Sequence, residues 1–213
     1  MVAPALIATL GLLLVLLLFR PPGWVMLLFL VALFLPGRWW HWKTRRFRRG
    51  LRLLKRGDAG EARSEFEAFL FQVAREPNFR RVQPYFNRGR SYPYVAAGRA
   101  NLGVCDLLQG KPDAALERFR AALAEDPSWV PAHYGEAVAL KLTGQVEAAE
   151  GSARKALELR PSYLAARLLL GSLLRESGRR VEADEVLAPI VEKGRDPEAL
   201  LQALDEHWGV GEM

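Results

Sequence analysis

The chain has 213 residues, with 30 lysines and arginines against 24 aspartates and glutamates, and a net charge of +6. Residues 1–56 carry ten basic and no acidic side chains, whereas the remainder carries 20 basic and 24 acidic ones. The larger part of the chain is therefore mildly acidic, which excludes overall basicity as an argument for nucleic-acid binding.

The first 37 residues are almost uncharged. Residues 2–35 contain one charged side chain, Arg20, and two apolar runs separated by a Pro-Pro-Gly break. As a helix, the run over 2–19 would be about 27 Å long, close to the hydrocarbon thickness of a bilayer. No basic residue precedes it and no small-x-small cleavage site follows it, which argues against a cleaved signal peptide. We predict a transmembrane hairpin over 1–37, spanning or re-entrant; a buried hairpin of a soluble protein is the alternative.

A basic segment follows directly. Residues 38–56 hold nine lysines and arginines and no acid, which by the positive-inside rule places the rest of the chain in the cytoplasm. We therefore expect localisation to the inner (cytoplasmic) membrane of a bacterium. The segment would act either as a topology signal with a solvated face or as a contact for anionic lipid. The predicted membrane-interface residues are Trp39, Trp40, Trp42, Arg45, Arg46, Arg48 and Arg49.

Glycines then mark an internal repeat. Gly110, Gly144 and Gly178 are 34 residues apart, and Gly57 precedes Gly110 by one such period plus 19 residues. An alanine comes five residues after each glycine, an apolar residue four later, and another three later, so all three share one helical face. In the four copies these residues are Ala62, Phe66 and Phe69; Ala115, Phe119 and Ala122; Ala149, Ala153 and Ala156; Ala183, Leu187 and Ile190.

This pattern of a helix, a glycine turn, a second helix and a proline resembles the tetratricopeptide repeat family. The resemblance implies an all-α fold: the transmembrane helical hairpin, then a right-handed α-solenoid of about four helix pairs plus a capping helix. The repeats would cover about 43–76, 96–129, 130–163 and 164–197, and the cap about 198–208. The predicted domains are the hairpin at 1–37, a basic juxtamembrane helix at 38–56 (the first helix of the first repeat), the array at 57–208 with an insertion at about 77–95, and a tail at 209–213.

Some positions depart from the pattern. Leu102-Gly103 and Leu170-Gly171 occupy equivalent places, but the third repeat has Glu136-Ala137 there. Pro189 falls within the second helix of the fourth repeat, where we expect a kink or an early end. In the first repeat, Phe47, Leu51 and Leu54 are expected to face the second helix.

The resemblance also implies a groove lined by the first helix of each repeat. Its expected residues are Ala97, Ala100, Asn101, Val104, Leu108, Tyr134, Val138, Lys141, Leu142, Leu168, Ser172 and Arg175. An apolar start and a mixed end suit an amphipathic helix or an extended apolar peptide, although individual residues could instead pack within the protein. Asn101 matches the carboxylate clamp of one branch of the family, but Phe47, Leu51, Pro131 and Gly135 do not, so that clamp is not expected.

The insertion is rich in arginine and aromatic residues. Its candidate surface comprises Arg80, Arg81, Tyr85, Phe86, Arg88 and Arg90. Such a mixture suits single-stranded RNA, an acidic protein or a membrane surface, and a packed crossover is an equal alternative.

No motif for catalysis was found. His41, His133 and His207 lie in separate elements, and the single cysteine, Cys105, is expected to be buried and inert. We predict no enzyme activity, cofactor or metal. The predicted function is a membrane-anchored scaffold or adaptor that presents a cytoplasmic groove to protein partners of an inner-membrane complex. The alternatives are a non-catalytic subunit held by its hairpin, and an RNA-binding array.

Overall fold

The computed structural model describes residues 22–24, 35, 37–76, 78–79, 81–82, 92–192, 194, 196–200 and 202. The chain divides into two compact units, residues 1–45 and 46–213. The named helices are α1 (Arg45–Leu54), α2 (Ala59–Ala74), α3 (Tyr94–Leu108), α4 (Pro112–Glu125), α5 (Val130–Leu142), α6 (Val146–Leu159), α7 (Leu164–Glu176) and α8 (Arg180–Val191).

These helices form four pairs stacked into an all-helical solenoid. Within a pair, α3 packs on α4, α5 on α6 and α7 on α8. Between pairs, the second helix of one contacts the first helix of the next, so that α2 meets α3, α4 meets α5 and α6 meets α7. The predicted helical-repeat architecture is confirmed for this part of the chain.

The phased glycines end the first helix of each pair. Their φ angles are +84° at Gly57, +67° at Gly110, +75° at Gly144 and +76° at Gly178, in the left-handed region that favours glycine. At the second of these turns the Gly110 N–H donates to Leu107 O at 2.9 Å, and the next amide donates to Asp106 O at 2.9 Å. The same two bonds recur at the other three turns, which is the Schellman arrangement that satisfies the last carbonyls of a helix.

The face predicted for the second helices is the core of each pair. All twelve of its residues are at most 3% exposed. Phe119 packs so closely on the first helix that a Cβ at Gly103 would lie 2.8 Å from its ring, and one at Gly171 would lie 2.8 Å from Leu187. In the third pair, the equivalent positions are two alanines, Ala137 and Ala153, both fully buried. The missing glycine of the third repeat is therefore matched by a smaller residue opposite it.

The first pair differs from its prediction in two respects. Residues 37–43 are helical, but Thr44 is a turn, so the helix predicted over the basic segment is interrupted before α1 begins. Phe47 does face the second helix, with ring centroids 5.7 Å from Phe66. The rest of the buried face is Gly50 and Leu53, whereas Leu51 and Leu54 are only partly buried. The Phe66 ring packs directly on the backbone at Gly50, so the centre of the buried face lies there.

The ends of the array follow the period approximately. Helix α8 continues through Pro189 and stops at Val191, two residues earlier than the repeat would place its end. Residues 197–200 are helical, and Leu200 packs on Leu168, Leu187 and Ile190, so the start of the expected cap covers the fourth pair. Residue 202 is also helical, and residues 201 and 203–208 of the cap and the tail at 209–213 lie outside the described residues.

The predicted hairpin cannot be followed in the same way. Residues 1–21, 25–34 and 36, on which it depends, lie outside the described residues. Within the part of the chain that the structure describes, no helix is both long and apolar enough to cross a bilayer.

Candidate functional site

The first helices of the last three pairs lie side by side. Helix α3 contacts α5, and α5 contacts α7, so these three helices form one continuous row. All twelve residues expected to line a groove lie on this row. The structure divides them into buried, apolar and polar groups.

Four of these residues offer little side-chain surface. Ala97 is 1% exposed, Ala100 5%, Val138 3% and Leu168 4%. The two alanines shape the wall through their small size, and Leu168 packs with Leu187 and Ile190. Any contact with a partner must therefore come mainly from their neighbours.

The apolar part of the row lies at the ends of α3 and α5. Leu108 is 40% exposed. Val104 and Leu142 are partly buried and pack against the main hydrophobic cluster. Asn101 is partly exposed, and its side chain donates to Ala97 O at 2.8 Å, a bond within its own helix. This end presents a small apolar surface with one polar side chain.

The polar part joins α5 to α7. The Lys141 ammonium donates to Ser172 Oγ at 3.0 Å and to Glu176 Oε1 at 2.8 Å. The Ser172 hydroxyl donates to the same carboxylate oxygen at 2.8 Å. The Lys141 side chain is 10% exposed and that of Glu176 is 49% exposed, so the carboxylate is the accessible member. These two hydrogen bonds hold the Lys141 ammonium in place, so its side chain has little conformational freedom to lose when a partner binds.

Arg175 lies on α7, at the charged end of the row, and a tyrosine pair lies between α5 and the start of α7. Arg175 forms ion pairs with Glu198 and, at 3.5 Å, with Asp184. The hydrogen bond to Glu198 is the largest influence that raises the pKa of Arg175. Tyr134, 9% exposed, meets Tyr163 edge-on with ring centroids 5.7 Å apart, and burial raises the pKa of Tyr163. The row is thus apolar at one end and charged at the other.

The insertion contributes to packing. Phe79 is 2% exposed, with its ring centroid 6.0 Å from Phe69 and 5.8 Å from Tyr94. Tyr92 lies 4.6 Å from Tyr94 and 5.6 Å from Trp129, and burial raises the pKa of Tyr92. Three of the five aromatic residues of the insertion therefore tie the first pair to the second, as the packed-crossover alternative expects.

Of the six residues of the candidate insertion surface, the structure describes Arg81. Arg81 is exposed. Arg80, Tyr85, Phe86, Arg88 and Arg90 lie outside the described residues.

The three interface tryptophans differ in exposure. Trp39 is 42% exposed and Trp42 57%, whereas Trp40 is 7% exposed. The Lys43 ammonium lies 5.4 Å from the Trp39 ring and 5.3 Å from the Trp42 ring, within the range of cation–π attraction.

The four interface arginines also differ. Arg46 and Arg49 approach Glu65 of α2, at 3.5 and 3.3 Å respectively. Arg45 is exposed and Arg48 is partly buried. The sequence pattern did not reveal the role of Glu65, because its pairing joins residues in two different helices.

A buried ion pair was also missed by sequence reasoning. The Asp106 side chain is 1% exposed, and its Oδ1 accepts a hydrogen bond from Arg63 Nη1 at 2.5 Å. Its Oδ2 has no hydrogen bond, although Arg118 Nε lies 3.8 Å away. The one signal in the sequence was that this acid stands among the apolar residues that form the buried face of α3. This pair joins α2, α3 and α4 at the start of the array.

The neighbouring cysteine is buried, as expected. Cys105 is fully buried, and burial raises its pKa to about 11. The thiolate is therefore scarce at neutral pH, and a reactive or metal-binding role is unfavourable. Within the described ranges no three potential metal-ligating side chains come together.

A pocket of about 360 Å³ lies among α2, α3 and α4. Leu70, Val73, Ala74 and Val95 supply its apolar lining. Its charged lining consists of Glu76, Arg99, Arg118 and Glu125, of which Arg99 and Glu125 pair at 3.1 Å.

Comparison with known proteins agrees with this architecture. Residues 106–152 and 144–204 match the tetratricopeptide repeat family model. A tetratricopeptide repeat protein from Parabacteroides merdae superposes with a TM-score of 0.56 at 18% identity, over 78% of this chain and 59% of that one. Repeats of a putative kinesin light chain from Podosopora anserina give 0.55 at 17%, over 79% and 87%. The first such domain of Spaghetti, solved with an HSP90 peptide, gives 0.51 at 17%, over 64% and 93%. Identities this low establish a shared fold alone, and no curated protein matches the sequence.

Proposed function

We propose that this chain, in which residues 106–204 are tetratricopeptide repeats, is a membrane-anchored adaptor that holds a segment of a protein partner along α3, α5 and α7. The observation that carries the proposal is the division of this row into an exposed apolar end at Leu108 and a charged end at Glu176. An amphipathic helix or an extended peptide with one apolar and one charged flank would match both ends at once.

The fold supports binding of this kind. The Spaghetti domain was solved with a peptide bound, so the architecture can hold a peptide. In this chain the carboxylate clamp is not part of the proposal. Asn101 uses its amide within its own helix, and a side chain at Gly135 would place a Cβ 2.2 Å from the Phe119 ring.

Anchoring is proposed from the sequence. Residues 2–35 contain one charged side chain, and nine cations follow at 38–56. This order favours insertion of the first segment with the repeats in the cytoplasm, at the inner membrane of a bacterium. A reporter that is active only in an exported compartment, fused after Met213, should remain inactive; activity there would contradict the topology.

Site-specific crosslinking in native membranes tests the groove. We expect a photoreactive residue in place of Leu108 or Leu142 to crosslink one and the same protein, with mass spectrometry used for identification. The matched control is Val181 on α8, an apolar residue that is 74% exposed and outside the row. A photoreactive residue there should give no such crosslink.

Two results would contradict the proposal. Equal crosslinking from Val181 and Leu108 would show that the row has no special role. A photoreactive residue can also replace Trp24, which is 66% exposed and belongs to the first 37 residues. Crosslinks from that position alone would instead identify a non-catalytic subunit held through its first 37 residues.

A further inference from the structure

Cations cover the outer side of α1, the side that faces away from its buried residues. The helix buries Phe47, Gly50 and Leu53. Arg49 and Arg52 are exposed away from this face, and Lys55 and Arg56 are exposed in the turn that follows. No acidic residue interrupts the segment.

The structure separates these cations into two sets. Arg46 and Arg49 lie 3.5 and 3.3 Å from the Glu65 carboxylate, which is 14% exposed and belongs to α2. The second set, Arg52, Lys55 and Arg56, is exposed and forms no ion pair with any described residue. We call this second set the unpaired cations.

The arrangement is unfavourable for an isolated helix. The helix contains no acid, and its cations recur at spacings of three or four residues, as at Arg45, Arg48 and Arg52. Like charges three or four residues apart on a helix repel one another. An anionic surface against the exposed cations would relieve this repulsion.

The chemistry of this side favours phosphate headgroups over single-stranded nucleic acid. Bases bind such proteins largely by stacking on aromatic side chains. The only aromatic residue of α1, Phe47, is 3% exposed. Closely spaced cations without exposed aromatic residues are sufficient for contact with an anionic bilayer.

We propose that Arg52, Lys55 and Arg56 bind the headgroups of an anionic bilayer, while Arg46 and Arg49 serve to hold α1 on α2. The inference rests on the membrane anchoring proposed above. It assigns lipid contact to residues that follow the ones indicated by the sequence pattern, because two members of the earlier group pair with Glu65.

Arginine modification tests this on the full chain. The protein is placed in nanodiscs of phosphatidylcholine alone and of phosphatidylcholine with phosphatidylglycerol, and phenylglyoxal labelling is followed by mass spectrometry. We expect Arg52 and Arg56 to react about fivefold more slowly in the anionic discs, the protection that one such contact provides. Arg49 should keep its rate. Equal rates for Arg52 and Arg56 in both discs would overturn the inference, while incorporation into discs would leave the anchoring intact.

The opposite failure is distinguishable. If the chain enters neither disc, the anchoring fails, and the lipid contact is tested by sedimentation of the chain with vesicles of the same two compositions. Binding to anionic vesicles should fall about 30-fold in R52Q/R56Q, because each cation near the surface contributes about fivefold. The charge-matched variants R46Q/R49Q and K111Q/R180Q should bind nearly as well as the parent protein, with circular dichroism checking that each variant folds.

Two results of that arm would overturn the inference. Equal losses in all three double variants would indicate a response to net charge alone. Salt-sensitive binding of an RNA oligonucleotide, lost in R52Q/R56Q while vesicle binding is unchanged, would assign the unpaired cations to nucleic acid.

Discussion

The pairing of Gly171 with Leu187 gives the sharpest test of how the repeats pack. A Cβ at Gly171 would lie 2.8 Å from Leu187 Cδ2 and Cγ, which requires the leucine or the helix to move. The third repeat solves the same problem with Ala137 and Ala153, both fully buried. We therefore predict that Gly171→Ala and Leu187→Ala are each unfavourable alone and partly compensate each other when combined.

The magnitudes follow from the geometry. Overpacking by one methyl group costs about 1–3 kcal/mol, and the better helix propensity of alanine returns about 1 kcal/mol, so Gly171→Ala should cost up to about 2 kcal/mol. Leu187→Ala leaves a cavity and should cost about 3 kcal/mol. In the double variant the new methyl group enters that cavity without a clash. Its cost should be about 2 kcal/mol, which is about 1–3 kcal/mol less than the sum of the single changes.

Hydrogen exchange of the α7 and α8 amides measures this in the full chain. It reports the local opening free energy of the fourth pair, which suits a repeat array better than a single global transition. Gly151→Ala is the matched control. A Cβ there meets nothing within 4 Å, so this change should stabilise α6 by about 0.5–1 kcal/mol. Additive effects of the two changes at 171 and 187, within about 0.5 kcal/mol, would refute the complementary-size explanation.

Three further predictions concern the turn, the buried pair and the thiol. Gly110→Ala should lower the opening free energy of α3 and α4 by about 1–2 kcal/mol, since Gly110 has φ +67°; hydrogen exchange that matches Gly151→Ala would contradict this. Asp106→Asn should cost about 1–3 kcal/mol by weakening the bond to Arg63, seen as faster exchange in α2 and α3, and unchanged exchange would count against a stabilising pair. The pKa of Cys105, about 11 in the folded chain, exceeds its ordinary value of 9, so the folded chain retains a proton that the unfolded chain loses. Stability should therefore fall between about pH 9 and 11, and Cys105→Ala should flatten that fall in denaturant titrations; identical pH profiles would contradict it.

The fold could be predicted in detail where one period governs the chain. The turn glycines, the alanines that follow them and the large residues beyond were all assigned correctly, because a 34-residue repeat places equivalent side chains on equivalent faces. In the first pair, the Phe66 ring packs on the backbone at Gly50 and Leu53 is buried, while Leu51 and Leu54 are only partly buried. Helical spacing alone does not contain that information.

The candidate groove was predicted as a set of positions, and its surface required the structure. Leu108 in the expected row is 40% exposed, yet Ala100 and Val138 in the same row are almost completely buried. Phase along a helix says which side a residue takes, whereas exposure depends on how closely the next helix approaches. The same limit applies to Asp106, whose partner Arg63 is 43 residues away in the chain.

By itself, the sequence determined the helix pairs, their turns and the residues at the centre of each pair, since these follow from local periodicity and from the left-handed geometry that glycine allows. Only the tertiary structure decided how the irregular residues are used. Phe79 and Tyr92 join the aromatic packing between the first two pairs. Glu65 pairs with Arg46 and Arg49, whereas Arg52 and Arg56 are exposed. The physical reason is that burial and charge pairing depend on which helices approach one another, a property of the packed molecule that one segment of sequence does not contain.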